Sequence, residues 1–292
     1  MIELCPYNVN FSKTLKDFLH NELNLSNQQI KEYLKSKQRQ SILSRCLKLD
    51  ANLLNRYLVN PIYNGEKIYL SEDDDFIYIE KPPGVFSQPL KYNDSNNCLS
   101  FLRSISLGKY LNDYNDSWEK GLLYRIDHVT SGLLIYAKNK SIHESLRENF
   151  NQIAKKKTYL CIVEGEWNIK DNDLCTKLAP FKNNTLMRES EEGEVAKLTV
   201  KKLISFDSMS LLQINLSTGL RHQIRAQLSN AGCPIVGDVE YGAAKNDRVY
   251  LHAFHYEIKF GDKIISKRSE HFLKENLFEK YLNKFGGVKT IL

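Results

Sequence analysis

The sequence predicts an α+β fold, with a largely antiparallel mixed sheet flanked by helices and a small N-terminal α+β domain. Two observations support this prediction. Short apolar runs rich in β-branched and aromatic residues recur along the chain between turn residues. The regular strand–helix alternation of doubly wound proteins is missing from the sequence, as are internal repeats. A length of 292 residues fits one large domain with a small companion.

The N-terminal segment predicts two helices and a strand. Ser12–Leu23 has apolar residues at helical spacing, with Ser12 as the N-cap. Ser26–Gln29 has the S-x-x-Q form of a capping box and opens the second helix. The Asn64–Gly65 turn then precedes a strand at Lys67–Leu70.

An acidic break at Ser71–Asp75 divides the chain into two predicted domains, residues 1–70 and residues 71–292. The second domain contains most of the predicted strands, which are short runs of β-forming residues bounded by turn or proline signals. These strands are Phe76–Lys81, Leu133–Lys138, Lys155–Gly165, two segments around Val200 and Leu212, and one beginning at Leu251.

The second domain has fewer predicted helices than strands. We expect one around Cys98–Ile105, one opened by a capping box at Ser141–Glu144, and one from about Thr218 to Gly232. Residues 170–195 are charged and lack an apolar period, which predicts a loop. Pro234–Gly242 is expected to form a tight loop.

Composition narrows the class of protein. The N-terminus lacks a basic segment before an apolar stretch, and no apolar run is long enough for a membrane span. We therefore expect a cytoplasmic protein with no membrane contact. Six cysteines without a C-x-x-C pair indicate free thiols in a reducing compartment. A net charge of +6 suits a polyanionic partner, although many unrelated proteins share it.

Several reaction types have no support in the sequence. The phosphate loop, the dinucleotide fingerprint, H-E-x-x-H and G-x-S-x-G are all absent. His252 and His255 are three positions apart in a strand-like segment, which places them on opposite faces and argues against a shared metal ion. We therefore expect neither a metal site nor a cofactor.

A polar loop leading into the strand at Leu133 provides the first candidate for catalysis. Asp127 lies in this loop between Arg125 and His128, a place where proteins often position a working carboxylate. Two other segments could complete a site, one with Lys157 and Tyr159, the other with Arg221, His222 and Arg225. A nearby arginine would hold a carboxylate ionised, and a tyrosine ring could stack on a flat substrate.

Each candidate also has an ordinary structural explanation. An isolated loop aspartate such as Asp127 usually caps its own turn. Tyr159 could be a core aromatic, Arg225 could lie on a solvated helix face, and His222 could be a structural hydrogen-bond donor. The residues taken singly leave these alternatives open.

Five motifs in order resemble those of the RluA-type pseudouridine synthases. The loop from Tyr124 to Lys138 is similar to R-L-D-x-x-T-S-G, and Lys157–Tyr159 is similar to K-x-Y. Segments from Thr218 to Gly242 resemble the block T-G-R-x-H-Q-I-R, G-x-P-I-x-G-D and Y-G. Lys81–Gly84 and Leu251–Ala253 fit the two ends. The resemblance covers roughly residues 76–258, and five motifs in sequence are far more specific than one.

The resemblance implies a role for each candidate residue. Asp127 would attack the ribose C1′ of a uridine, or remove a sugar proton in the competing glycal scheme. Tyr159 would stack on the base and Arg225 would pair with the Asp127 carboxylate. Arg125 would help to hold the RNA open when the uridine is flipped out. The resemblance also implies substrate contacts for Arg125, Thr130, Lys157, Arg221 and His222.

The chain departs from the family pattern at two positions. Tyr124 stands where many members have histidine, and Leu220 stands where the motif has arginine, with Arg221 one position later. We expect these changes to affect packing and RNA contacts more than the chemistry.

The N-terminal segment resembles an S4-like RNA-binding module at Leu25–Lys31 and Asn64–Ile68. Together with the synthase motifs, this resemblance favours ribosomal RNA of the large subunit over transfer RNA as the substrate of a monomeric enzyme. Two alternatives from other classes are a non-catalytic RNA-binding or ribosome-assembly protein and a glycosidase-like hydrolase. The hydrolase would need a second carboxylate.

Overall fold

The computed structural model describes residues 2–4, 26–28, 31, 47–49, 63–90, 94–105, 120–170, 172–183, 185–275 and 278–283. The strands are β1 (Ile2–Leu4), β2 (Leu47–Leu49), β3 (Tyr69–Glu72), β4 (Phe76–Lys81), β5 (Ser131–Ala137), β6 (Ala154–Glu164), β7 (Asp173–Phe181), β8 (Leu186–Glu189), β9 (Glu194–Phe206), β10 (Met209–Leu216), β11 (Leu251–Phe260) and β12 (Lys263–Arg268). The helices are α1 (Cys98–Ser104), α2 (Lys140–Glu148), α3 (Phe150–Ile153), α4 (Gln223–Asn230), α5 (Glu270–Glu275) and α6 (Glu279–Leu282), with a 3₁₀ helix at Val239–Tyr241.

Ten strands of the described residues form one mixed sheet. Their order is β3-β4-β5-β11-β6-β10-β9-β7-β8, and β12 also pairs with β11. The neighbours are antiparallel except β5 and β11, which are parallel through the pairs Ser131–His252 and Gly132–Ala253. The predicted α+β class with a largely antiparallel mixed sheet is confirmed.

Apolar clusters cover both faces of the sheet, and successive residues of β6 belong to one cluster and then the other. Tyr159 and Cys161 belong to the larger apolar cluster, which includes residues of β4, β5 and α1. Leu160 belongs to a second cluster on the other face, where Phe272 and Phe278 from the C-terminal segment pack. Alternation along one strand therefore directs Tyr159 to the larger core and brings the C-terminal helices to the opposite face.

The parallel contact between β5 and β11 requires a glycine. Gly132 has a φ of +119°, and a Cβ at this position would lie 2.3 Å from the carbonyl oxygen of Ala253. No real side chain fits at that distance from a backbone atom. The glycine of the T-S-G motif therefore allows the strand after the Asp127 loop to contact β11 closely.

The loop predicted at residues 170–195 is wrong, since most of this segment forms the β7–β8 hairpin. Along β7, exposed residues alternate with mostly partly buried ones, and only Leu178 is fully buried, so the apolar signal is too sparse to be read from the sequence. Leu178 and Met187 of the hairpin cluster with Ala226 of α4. The hairpin thereby covers a helix whose composition is largely polar.

Helix positions agree with prediction better than helix caps do. The helix expected around Cys98–Ile105 is α1, and the one expected to end near Gly232 is α4. The predicted capping box at Ser141 is wrong. Asn139 is the N-cap of α2, and its side-chain oxygen accepts a hydrogen bond from the Ser141 N–H at 2.8 Å.

The N-terminal region is described only in part. The helix expected at Ser12–Leu23 and most of the helix opened at Ser26 lie outside the described residues, so the S4-like module stays a prediction. Strand β3 begins two residues later than expected and includes Ser71 and Glu72, which the sequence placed in an acidic break. Those residues pair with β4, so the predicted division at residue 70 falls inside a strand of the large sheet.

Candidate active site

A buried lysine fixes the loop that carries Asp127. Lys81, at the end of β4, donates through Nζ to the carbonyl oxygens of Val85 at 2.7 Å and His128 at 3.1 Å. The N–H of Thr130 donates to the carbonyl of Asp127 at 3.0 Å and closes the turn. Thr130 itself is buried beside the site. These bonds engage the loop's backbone and leave its carboxylate available.

Three side chains from separate segments meet in one recess of about 80 Å³. Asp127 reaches it from the loop before β5, Tyr159 from β6 and Arg225 from α4. The side chain of Asp127 is 24% exposed, whereas those of Tyr159 and Arg225 are almost completely buried. The carboxylate is therefore the group of the three that a molecule entering the recess can reach most directly.

Arg225 is held mainly by two other carboxylates. Its Nε and Nη2 donate to the two oxygens of Asp238, each at 2.7 Å, and Nη2 also donates to Glu240 at 2.6 Å. Burial opposes the charge, but the bonds to Asp238 raise the pKa of Arg225 above its ordinary value. Nη1 lies 3.8 Å from Oδ2 of Asp127, beyond hydrogen-bonding distance. The expected pairing with Asp127 is present only as this longer contact.

His222 lies near the other oxygen of the Asp127 carboxylate. Its backbone is left-handed, with φ of +51°, a conformation that is unusual for a residue with a side chain. Nδ1 lies 3.0 Å from the hydroxyl of Tyr241, and Nε2 lies 4.0 Å from Oδ1 of Asp127. Burial lowers the pKa of His222, although the Asp127 charge opposes this, so the ring is mostly neutral at pH 7.

Tyr159 is the first of three packed tyrosines. Its hydroxyl lies 2.5 Å from the hydroxyl of Tyr256, whose ring stacks on Tyr124 at 4.1 Å. The hydroxyl of Tyr124 donates to the carbonyl of Leu133 at 3.0 Å. Burial raises the pKa of Tyr159, and the hydrogen bond with Tyr256 opposes this only in part, so the phenol is protonated at neutral pH. Tyr124 thus contributes packing behind Tyr159.

The recess adjoins a wider cleft of about 1070 Å³, since both are lined by Asp127, Tyr159 and His222. The side chains lining the cleft include four cations, Arg125, Arg147, Lys157 and Arg221. Lys157 donates to the carbonyl of Thr218 at 3.3 Å, and burial lowers its pKa. These four cations outnumber the two acidic side chains of the cleft, Asp127 and Glu148, and a positive balance suits an anionic molecule whose reacting part enters the recess.

The two residues at the departure from the family motif have different environments. Leu220 also lines the cleft, but it is partly buried against the apolar cluster of the β7–β8 hairpin, which includes Leu178 and Met187. Arg221 lines the cleft, and its Nη2 lies 3.4 Å from the carbonyl oxygen of Leu186. In this chain the positive charge therefore stands on the cleft one residue later than in the motif.

Within the described ranges, no group of three or more His, Cys, Asp or Glu side chains is arranged to hold a metal ion. His252 and His255 have separate hydroxyl partners, Ser269 and Ser266, each at 2.8 Å. The described part of the chain also includes no helix long and apolar enough to cross a membrane.

Residues 75–230 match the family described as RNA pseudouridylate synthase. The chain belongs to the RNA pseudouridylate synthase family. The matched segment includes Asp127, Tyr159 and Arg225, so all three residues that meet in the recess belong to the family region. Asp238 and strand β11 lie beyond it, although they complete the site in three dimensions.

Two bacterial relatives are named as pseudouridine synthases of the large ribosomal subunit. Ribosomal large subunit pseudouridine synthase D of Borreliella burgdorferi is 29% identical over 220 residues, which are 73% of this chain and 67% of the relative. Ribosomal large subunit pseudouridine synthase C of Rickettsia felis is 32% identical over 204 residues, 67% of this chain and 63% of the relative. The matches therefore span about two thirds of these relatives' lengths.

A solved human structure has the same fold as this synthase family member. The human RNA pseudouridylate synthase domain containing 1 aligns with a TM-score of 0.55 and 21% identity, covering 72% of this chain and 86% of that one. At this identity the likeness concerns the fold alone, and it agrees with the large mixed sheet described above.

The structure also identifies residues whose part in the site the sequence did not reveal. Asp238 lies in a Gly–Asp turn that matched the family block, but nothing local to that turn identifies Arg225 as its partner. Nothing in the sequence around Tyr256 indicated its role, because its contact with Tyr159 depends on the register between β11 and β6. The interpretation of Arg225 as a solvated helix residue is wrong, because its side chain is buried. The hairpin that packs on α4 was not predicted from the sequence.

Proposed function

We propose that this chain converts uridine in RNA to pseudouridine. The observation that carries the proposal is the recess shared by Asp127, Tyr159 and Arg225, at the base of a cleft lined by cations. The reactive carboxylate, the ring and the guanidinium come from three separate segments. Family membership supports the same reaction, because the motifs that supply these residues are those of the synthases.

The proposed reaction is an isomerisation, so the nucleotide neither gains nor loses atoms overall. Asp127 bonds to C1′ as the bond from C1′ to N1 breaks, or it removes a sugar proton as a glycal forms and later returns it. The freed uracil turns and C5 bonds to C1′, as the bond from Asp127 to C1′ breaks in the first route or as the sugar proton returns to the glycal in the second. C5 then loses its proton and N1 gains one, so Asp127 is restored as a carboxylate. Tyr159 would lie against the base, and Arg225 would hold a positive charge near Asp127 in both routes.

The substrate that we propose is ribosomal RNA of the large subunit. The names of the bacterial relatives support this choice over transfer RNA. We further propose that residues 1–70 include an S4-like module that binds RNA, that the enzyme works as a monomer, and that it acts in the cytoplasm, where ribosomal RNA is modified. Arg125, Lys157 and Arg221 would contact phosphates along the cleft.

The test is to incubate purified protein with ribosomal RNA from cells that lack this gene and to measure pseudouridine after digestion to nucleosides. Wild-type protein should form pseudouridine and Asp127→Asn should not. Asp262→Asn is the matched control, because Asp262 is exposed in the turn between β11 and β12 and does not line the cleft. Product from Asp127→Asn would refute the mechanism. RNA binding by the wild type without product would favour the non-catalytic alternative.

A further inference from the structure

An exposed pair of rings stands at the cleft beside Asp127. The rings of Phe86 and His128 are stacked, with centroids 4.1 Å apart and an angle of 29° between their planes. Both side chains line the cleft, and Phe86 is 36% exposed. His128 directly follows Asp127 in the chain, so the ring pair is a close neighbour of the carboxylate.

The backbone on both sides of the pair is fixed. Lys81 Nζ donates to the carbonyl of His128, and the Gly84 N–H donates to the same oxygen at 2.9 Å. Phe86 donates through its N–H to the carbonyl of Asn96 at 3.1 Å, and its own carbonyl accepts from the N–H of Cys98 at 3.0 Å. Two flat side chains are thus held in place at an open surface.

The chemistry of the pair suits an uncharged flat ring. Phe86 has no polar atoms, and burial lowers the pKa of His128, as does the charge of Lys81. The imidazole is therefore mostly neutral at pH 7. Aromatic side chains bind nucleobases by stacking, without regard to base identity. The cations of the same cleft can meet the phosphates on either side of such a base.

We propose that Phe86 and His128 form a stacking platform for the unpaired nucleobase next to the target uridine. This inference rests on the proposed function. A uridine that leaves its strand to enter the recess deprives its neighbour of a stacking partner, and the loss costs a few kcal/mol. A preformed pair of rings beside the recess replaces that partner and holds the strand while the uridine reacts.

The experiment uses two single-stranded RNAs of roughly 12 nucleotides. Each contains one uridine, with the fluorescent base 2-aminopurine on its 5′ side in one RNA and on its 3′ side in the other. Wild-type protein should quench the fluorescence of one of them, because stacking quenches 2-aminopurine. Phe86→Leu keeps an apolar side chain but removes the flat ring, so it should weaken binding at least about 5-fold and reduce the quenching.

Tyr69→Leu is the matched control. Tyr69 stacks on His271 with centroids 4.2 Å apart and an angle of 27°, and it is 37% exposed, but it does not line the cleft. This variant should bind and quench like the wild type. His128→Tyr retains a flat ring and should keep most of the quenching, whereas His128→Ala should lose it. Because His128 is exposed, the histidine variants decide the question if Phe86→Leu fails to fold.

Failure of the platform can be told apart from failure of the proposed function by measuring pseudouridine in the same mixtures. Wild-type product with unchanged quenching in Phe86→Leu and His128→Ala overturns the platform alone. Quenching that depends on both rings, without product from the wild type on either these RNAs or ribosomal RNA from cells that lack the gene, overturns the proposed reaction and leaves the platform standing. Absence of quenching by the wild type with both RNAs also overturns the platform.

Discussion

Arg225 binds both carboxylate oxygens of Asp238 at 2.7 Å, while its distance to the nearest oxygen of Asp127 is 3.8 Å. The guanidinium of Arg225 is thus a fixed positive charge held by a buried partner. It lies close enough to attract the Asp127 carboxylate but does not hydrogen-bond to it. A carboxylate that must approach a sugar carbon benefits from this arrangement, because a bidentate bond to Asp127 would have to be broken first.

Asp238→Asn should destabilise the protein strongly, because it leaves the buried guanidinium of Arg225 without its main counter-charge. We expect a loss of about 3 to 5 kcal/mol in the free energy of unfolding, measured by urea denaturation. Glu240→Gln is the control, since Glu240 is 58% exposed and should cost less than about 1 kcal/mol. Equal losses in the two variants would contradict the assignment of Asp238 as the principal partner.

Tyr256→Phe should slow the reaction without unfolding the protein. The ring that stacks on Tyr124 remains, but the hydroxyl of Tyr159 loses its partner at 2.5 Å. We expect a stability loss of about 1 kcal/mol in thermal melting and a fall in kcat larger than any change in KM. Tyr250→Phe removes a hydroxyl that bonds to Asp247, away from the cleft, and should leave kcat unchanged. A normal kcat in Tyr256→Phe would show that the bond does not position Tyr159.

Gly132→Ala should prevent stable folding, because the new Cβ would lie 2.3 Å from the Ala253 carbonyl oxygen in the neighbouring strand. Gly84→Ala provides the comparison. Gly84 also has a positive φ, +76°, but a Cβ added there would meet open space, so only backbone strain of about 1 kcal/mol is expected. Soluble yield and melting temperature are measured for both variants. Similar values for the two would rule out the close contact at Ala253 as the cause of any destabilisation in Gly132→Ala.

The carboxyl of Glu80 should make stability fall as pH rises through the weakly acidic range. Burial raises its pKa from 4.5 to about 7, although Ser269 donates a hydrogen bond to it. Between these values the folded state keeps a proton that the unfolded state has lost, so raising the pH favours unfolding. Glu80 also faces Glu270, and the nearby His252 has a pKa well below its ordinary value and stays neutral.

Glu80→Gln removes this titration and should flatten the corresponding part of the stability curve. From about pH 4.5 to pH 8, the wild type should lose on the order of 2 to 3 kcal/mol relative to the variant in urea denaturation. The buried histidines shift stability in the opposite direction, but they are common to both proteins and cancel in the difference. Parallel curves for the two proteins would contradict the raised pKa.

Local sequence signals predicted the elements that carry the site and missed those that enclose it. The apolar run after Gly132 and the helix expected around Cys98–Ile105 depend on neighbouring residues, so this strand and this helix could be predicted directly. The β7–β8 hairpin could not, because half of its side chains remain exposed and its apolar contacts are with α4. The same limit applies to Asp238 and Tyr256, whose partners are brought to them by strand register and helix packing.

The parallel contact between β5 and β11 also determines when the site can exist during synthesis. Ser131 and His252, which meet in it, are 121 positions apart in the sequence. Translation adds about 5 to 20 residues per second, so on the order of ten seconds separate the Asp127 loop from the strand that holds it. A nascent chain therefore carries the Asp127 carboxylate for some time before it can position it, and competence to act on RNA comes only after β11 has been synthesised.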